Sequence, residues 1–425
     1  MSWIKGLKAN FLLRVLSANS LVIAIRLTIT LAIQRILAKS LEEYGIAKIG
    51  DLRNILAMLT SFTSMGIFNG MVKFVSQNEN EPSQLKELLS TSFIFALFGS
   101  LISSLVLAVF AETFSVWFFD GPDFADVFYI LAVIAPAIGL QRIFNAIVHG
   151  MSRVKKYAII ELVAYIISAI LTLVGLYFNH LKGVLLAISI GPLIQLLTLA
   201  FIFGKTLKPL ITSIKPKWHS HFGNALLAFT LMSFVSNILL NSVEIYLREV
   251  LERSLNINEA GYWTAITNIS KNYMVFSTAL FSLYVIPKFA KITTGLDFKT
   301  EVLHIYKTLL PLFGVGMLLI FVFRDFVVQL IYPNFEGMEP LFKWQLLGDF
   351  VRLAAVVVAH QFLAKKMIRS FIASEIVSMI LFFGLSLILI PIFGTEGVVM
   401  AHFVRYVIYF GFVLLLIQRH FARTA

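Results

Sequence analysis

The 425-residue chain is 59% hydrophobic and only 14% charged, and its mean hydropathy of +0.87 excludes a water-soluble domain of this length. It carries 35 Lys and Arg against 23 Asp and Glu, a formal net charge of +12, and its lack of cysteine excludes disulfides, thiolate metal sites and a cysteine nucleophile. The apolar runs are continuous and about twice the ~10 residues of a transmembrane strand, so the expected fold class is an all-α membrane protein.

Hydropathy and punctuation predict twelve transmembrane helices, near 11–37, 45–75, 88–111, 127–149, 158–178, 183–204, 224–251, 260–290, 302–323, 337–363, 371–393 and 396–418. The opening MSWIKGLKAN is basic. The apolar run after it is too long for a signal-peptide core and shows no small-residue cleavage site, so the first helix is expected to be retained. That helix carries Arg26 near its middle. An arginine at that depth costs on the order of 3 kcal/mol on insertion scales; either it snorkels or pairs within the bundle, or it faces a water-filled path for an anion.

The connections alternate in charge. Lys5/Lys8, Arg153/Lys155/Lys156, Lys205 to Lys217, Lys288 to Lys299, Lys365/Lys366/Arg369 and Arg419/Arg423 fall on one side. The loop around Glu112, Asp120, Asp123 and Asp126, free of Lys and Arg, falls on the other. The positive-inside rule places both termini in the cytoplasm and explains most of the net charge without a nucleic-acid partner. Trp117, Phe118 and Phe119 read as part of an interfacial aromatic belt.

The longest connection, Gly204 to Gly223, holds two prolines and four lysines and reads as a linker. It divides the chain into an N-terminal six-helix lobe (1–204), a cytoplasmic linker (205–223) and a C-terminal six-helix lobe (224–425). The lobes resemble each other: RIFNAIVHG followed by KKYAIIELVAYIIS is answered about 210 residues later by RLAAVVVAH followed by KKMIRSFIASEIVSMIL. Arg142 thereby corresponds to Arg352, His149 to His360 and Glu161 to Glu375. An even number of helices per copy implies a parallel, pseudo-symmetric repeat around a central cavity.

Polar residues fall in stripes at spacings of three and four. Helix seven has Thr230, Ser233, Asn237, Asn241, Glu244 and Arg248; helix eight has Thr264, Asn268, Lys271, Thr278 and Ser282. Helix two adds Arg53, Thr60 and Ser64, and helix one adds Asn19, Arg26 and Thr30. Helix packing in lipid uses small residues and scattered Ser or Thr, but does not account for the cations. An aqueous cavity lined by Arg26, Arg53, Arg248, Lys271, Asn237, Asn241 and Asn268 is therefore expected. On helix ten, Asp349 and Arg352 are three apart and either pair with each other or act in coupling or gating. Glu375 reads either as an interfacial salt bridge to the cytoplasmic cations or as a protonatable coupling group, and Glu244 joins the coupling candidates. No phosphate loop, no metal-spaced His/Glu set and no GxSxG occurs, so no cofactor, metal or catalytic role is expected.

GIFNGMVKFVSQ (Gly66 to Gln77), EAGYW (Glu259 to Trp263), FSLYVIPKFAKIT (Phe281 to Thr293), RDF (Arg324 to Phe326) and FKWQLLGD (Phe342 to Asp349), followed by Lys365, Arg369 and Glu375, carry a resemblance. Over nearly the whole chain the sequence resembles the multidrug/oligosaccharidyl-lipid/polysaccharide exporter superfamily. Within it, the likeness is to the Wzx-type flippases, nearest the subgroup for enterobacterial common antigen lipid III. The resemblance implies two six-helix lobes in the bacterial inner membrane. It implies a lipid-linked oligosaccharide substrate on undecaprenyl pyrophosphate, moved to the periplasmic leaflet by alternating access among membrane lipids. It also implies neighbours in polysaccharide assembly, a polymerase and a chain-length regulator. Arg26 and Arg35 match a pair of family cations nine apart; Arg53, Arg248, Asp349 and Glu375 match too, and Arg352 replaces a family lysine. A cation-coupled multidrug exporter of the same superfamily is the alternative, with a membrane-embedded oligosaccharide polymerase behind it. The drug exporter needs a mainly acidic cavity, and the polymerase needs long loops.

Overall fold

A computed structural model describes residues 20–79, 81–151, 153–212 and 217–424. The helices are α1 (Ser20–Thr63), α2 (Phe68–Gln77), α3 (Pro82–Val109), α4 (Ala111–Phe119), α5 (Ala125–Gly150), α6 (Val154–Ile211) and α7 (Ser220–Ser254). They continue with α8 (Ile257–Leu280), α9 (Ile286–Lys291), α10 (Gly295–Val322), α11 (Arg324–Ile331), α12 (Leu341–Ala364), α13 (Ile368–Phe393) and α14 (Thr395–Thr424). A 3₁₀ turn (Pro122–Phe124) precedes α5 and a π turn (Phe281–Val285) joins α8 to α9. No strand occurs among the described residues, as expected for a chain whose backbone groups must be satisfied inside lipid.

Among the described residues, eight helices are long and apolar enough to cross a membrane, or nine when the pair α1–α2, bent by 50°, is taken as one. The difference from twelve has local causes. α6 has 58 residues, about 87 Å of helix at 1.5 Å per residue and far more than a ~30 Å hydrocarbon core. Its backbone leaves helical geometry at Asn179 and His180 and the chain folds back. The Gln195 amide reaches the Glu161 carboxylate, two residues that a straight helix would hold about 50 Å apart. Gly175 and Gly183 face each other across the reversal, each where an added Cβ would overlap the other's carbonyl. Gly183→Leu is expected to splay the arms and cost about 1–3 kcal/mol by overpacking, read as a lower unfolding temperature in detergent. A wild-type melt would show that the glycine contact is dispensable. α1 likewise breaks at Glu42, whose φ is 54° and ψ −163°. α8 falls outside the apolar set because Asn268, Lys271 and Asn272 interrupt it.

The described residues form two compact units: those of Lys48–Ser242, and those from Ser20 to Ala47 together with those from Val243 onward. Both boundaries of these units fall within helices, α1 and α7, and the 205–223 connection lies inside the Lys48–Ser242 unit. Over its described part that connection is helical or packed on a neighbour. Residues 205–211 continue α6, and Lys217 to His219 dock on α3. There the Ser90 hydroxyl accepts from the Lys217 N–H at 2.7 Å and donates to its carbonyl at 3.1 Å. The Thr91 hydroxyl accepts the His219 N–H at 3.2 Å, and Trp218 lies against Phe95 at 5.4 Å between ring centroids.

In the 48–242 unit, the acidic loop recruits cations from elsewhere in the chain. Lys48, buried, meets Asp120 at 2.6 Å, and Lys182 meets Asp126 at 2.6 Å. Trp117 is 70% exposed, as a belt residue should be, but Phe119 is buried. It packs on Phe124 and Phe128 at 5.5 and 5.6 Å, because consecutive helical residues point about 100° apart.

Candidate functional site

Within the unit that contains Val243 onward, the last two members of the α7 stripe, Glu244 and Arg248, meet the stripe of α8. Glu244 and Arg248 are one turn apart on α7; Lys271 and Thr264 lie two turns apart on α8. Lys271 Nζ approaches Glu244 Oε2 at 3.2 Å, and Arg248 Nε donates to Thr264 Oγ1 at 2.9 Å. The rungs run in opposite senses along the two helices, the register of an antiparallel pair. Arg248 is buried, its guanidinium 5.5 Å from the Trp263 ring centre, a geometry in which the ring face attracts the cation. Asn268, on the same face of α8, is buried too.

The two ends of the ion pair differ. The Glu244 side chain is 11% exposed and that of Lys271 is 53% exposed. Lys271 lies 14 residues into α8, about 21 Å from its start. An ammonium exposed at that depth is costly in hydrocarbon, so it is suited to a wet surface.

A second centre is built around Asp349 on α12, which is completely buried. Ser270 and Tyr273 of α8 each donate a hydroxyl to Oδ2 at 2.5 Å, and Gln345 donates its amide at 3.0 Å. His402 of α14 presents Nε2 at 3.1 Å from Oδ1, which calls for the Nε2-protonated tautomer, since a carboxylate only accepts. Arg352, whose pairing with Asp349 was one of the two alternatives, is its most distant partner at 3.9 Å. Asp349 therefore ties three helices together. Gln345 lies one helical turn before Asp349 on the same face, whereas Ser270, Tyr273 and His402 lie outside the polar stripes read from the sequence. A stripe of His402, Arg405, Tyr406 and Tyr409 at helical spacing on α14 was the available signal.

Glu375 on α13 meets α14 and not the basic turn before it. Tyr409 donates to Glu375 Oε1 at 3.4 Å, and Arg405 and Arg352 act on it electrostatically. Lys365 is engaged elsewhere, donating to the Ala290 carbonyl at 2.9 Å. Arg405 is 3% exposed. Its guanidinium lies 4.6 Å from the Phe382 ring centre and 4.3 Å from that of Tyr406, while Nε and Nη1 have no hydrogen-bond partner among the described residues.

The internal correspondence found in the sequence has a geometric counterpart. In the other unit Arg142 and Glu161 also interact electrostatically, as Arg352 and Glu375 do. His149 packs on Tyr157 at 4.0 Å and His360 on Phe281 at 4.6 Å, so each histidine is held by an aromatic side chain.

Of the remaining candidates, Arg26 is half-buried and its carbonyl accepts the Thr30 hydroxyl at 2.7 Å. Asn19 lies outside the described residues. Arg35 does not accompany Arg26: nine residues place them on opposite faces of a helix. Arg35 instead donates to the carbonyls of Gln329 and Leu330 at 2.7 and 2.5 Å, capping the end of α11 where a cation is favoured. Arg53, Asn237 and Asn241 belong to the Lys48–Ser242 unit. Arg53 and Asn237 are exposed there, and Asn241 is buried with its amide on the Asn237 carbonyl at 2.6 Å.

These features have relatives. The chain is 28% identical over 382 residues to the lipid III flippase of Escherichia coli (strain K12), covering 90% of this chain and 92% of that one. The lipid III flippase of Shigella flexneri matches at the same identity and coverage. Among solved structures, a multidrug resistance MATE family transporter of the MOP superfamily, in its inward-facing conformation, superposes with a TM-score of 0.74. That match has 13% identity over 93% of this chain and 95% of that one, so it speaks for the fold alone. A profile of the polysaccharide biosynthesis proteins matches residues 14–293, about two thirds of the sequence and both polar stripes of α7 and α8; the chain belongs to that family.

Proposed function

We propose that this protein is a flippase. Its substrate is an undecaprenyl-pyrophosphate-linked oligosaccharide, the enterobacterial common antigen lipid III or a related O-antigen repeat unit. It carries this from the cytoplasmic to the periplasmic leaflet of the bacterial inner membrane by alternating access. The observation that carries the reading is Lys271, the exposed, cationic member of an otherwise buried ion pair, in a chain related along 90% of its length to lipid III flippases. A pyrophosphate cannot cross hydrocarbon alone, because each charge costs several kcal/mol or more. Cations that are wet at that depth offset this cost by charge-assisted hydrogen bonds.

Counting the two arms of α1 and of α6 separately, and including α8, supports twelve crossings, an even number that leaves both termini on one side, and the positive-inside rule favours the cytoplasm. The assembly-pathway polymerase and chain-length regulator are the proposed protein partners. A drug exporter for cations is disfavoured by the acids: Asp349 is saturated by donors and Glu244 is covered by Lys271.

Replacing Arg26 and Arg53 together with alanine is expected to abolish transport in a reconstituted flipping assay while the protein remains folded in the membrane. Undiminished transport would remove the cationic-path claim, and lysine replacements separate charge from the bidentate geometry of arginine.

A further inference from the structure

The turn between α12 and α13 and the last turns of α14 line an open surface cavity of about 490 Å³ that no step of the proposed transport uses. Lys366, Arg369, Arg419 and His420 line it, with Met367, Ile368, Ser370 and Leu416 completing the wall. Lys366, Arg369 and Arg419 have no ion-pair partner among the described residues. Lys366 sits in the left-handed region with φ 55°, which turns the chain sharply into α13. Met367 provides no side-chain cap to that helix, so the positive end of the α13 dipole faces the same cavity.

Below the cations the surface is aliphatic. Seven and eleven residues on from Arg369, on the same face of α13, come Ile376 and Ile380, both exposed. Four and eleven residues before Arg419, on its face of α14, come Leu415 and Ile408, also exposed. Two neighbouring helices thus each place a cation at the head of a lipid-facing stripe, and both cations open on one cavity. A soluble anion would use the cations and leave the stripes idle. A molecule with an anionic head and acyl chains uses both.

We infer that this cavity binds the phosphodiester headgroup of an anionic glycerophospholipid, with its acyl chains lying along α13 and α14. The cavity has room for the headgroup and several waters, each taking roughly 30 Å³. A basic pocket between helix ends is the physical form that such recognition takes. The inference does not depend on the transported substrate.

The test is native mass spectrometry of the full-length protein released from detergent with phosphatidylglycerol or with phosphatidylcholine of the same acyl chains. Wild type is expected to retain phosphatidylglycerol preferentially. Lys366→Gln, Arg369→Gln and Arg419→Gln are each expected to weaken that retention about fivefold, as for one basic residue near an anionic headgroup, and the triple variant to abolish the preference. Lys299→Gln, at the same end of the protein but outside the cavity, is expected to change nothing. The single variants carry the test if the triple variant does not accumulate. Unchanged preference in all the cavity variants would overturn the proposal. So would displacement of phosphatidylglycerol by millimolar inorganic phosphate, which marks a soluble-anion site, or by stoichiometric polyprenyl pyrophosphate, which marks a substrate-entry site.

Discussion

Asp349→Ala is expected to damage folding more than any substitution of a cation proposed to bind substrate. It leaves the hydroxyls of Ser270 and Tyr273, the amide of Gln345 and the ring of His402 without their common acceptor, all in a completely buried position. Hydrogen bonds to a charged group contribute about 1.5–3 kcal/mol each in water-soluble proteins, and polar contacts between membrane helices average nearer ~0.6. Four such contacts across three helices place the loss on the order of 3 kcal/mol. A thermal ramp followed by size-exclusion in detergent should show a clearly lowered midpoint or poor accumulation. Asp349→Asn keeps the shape and one acceptor oxygen and should lie between alanine and wild type. If the alanine variant melts like wild type, Asp349 is not the tie between α8, α12 and α14.

Exchanging the charges of Glu244 and Lys271 is expected to separate structure from transport. Lys271→Glu alone sets two carboxylates where an ion pair stood at 3.2 Å, and Glu244→Lys alone sets two cations there. Because Lys271 is half exposed, the lost attraction is nearer ~1 kcal/mol than the value for a buried pair. Each single variant is nonetheless expected to reduce flipping at least about tenfold. The double exchange should restore the melting temperature but leave transport low, since the exposed position is then acidic and repels pyrophosphate. Full recovery of transport in the double exchange would reduce the pair to a structural contact.

The contrast between these two centres shows where sequence reasoning reaches. Helical period and hydropathy depend only on neighbours along the chain. The all-α membrane class, the polar faces of α7 and α8 and the Arg and Glu repeat were therefore legible from residues alone. The resemblance carried by GIFNGMVKFVSQ and FKWQLLGD was legible for the same reason, and the family match bears it out. What a polar face does once formed depends on what packs against it, and no local spacing encodes that. Arg26 and Arg35 match two family cations nine apart in one helix, yet Arg35 caps α11. Asp349 looked like half of an i, i+3 ion pair, yet donors from α8 and α14 hold it at least as closely.

The membrane is the physical reason for the division. In lipid every chain segment must satisfy its backbone internally, so helices and their apolar lengths follow from composition with little freedom. Between helices the lipid offers no hydrophobic drive, and packing and hydrogen bonds choose the neighbours. The kind of molecule was written in the order of its residues. Which charge is buried in a network and which, like Lys271, is left exposed emerged only when the helices were placed side by side.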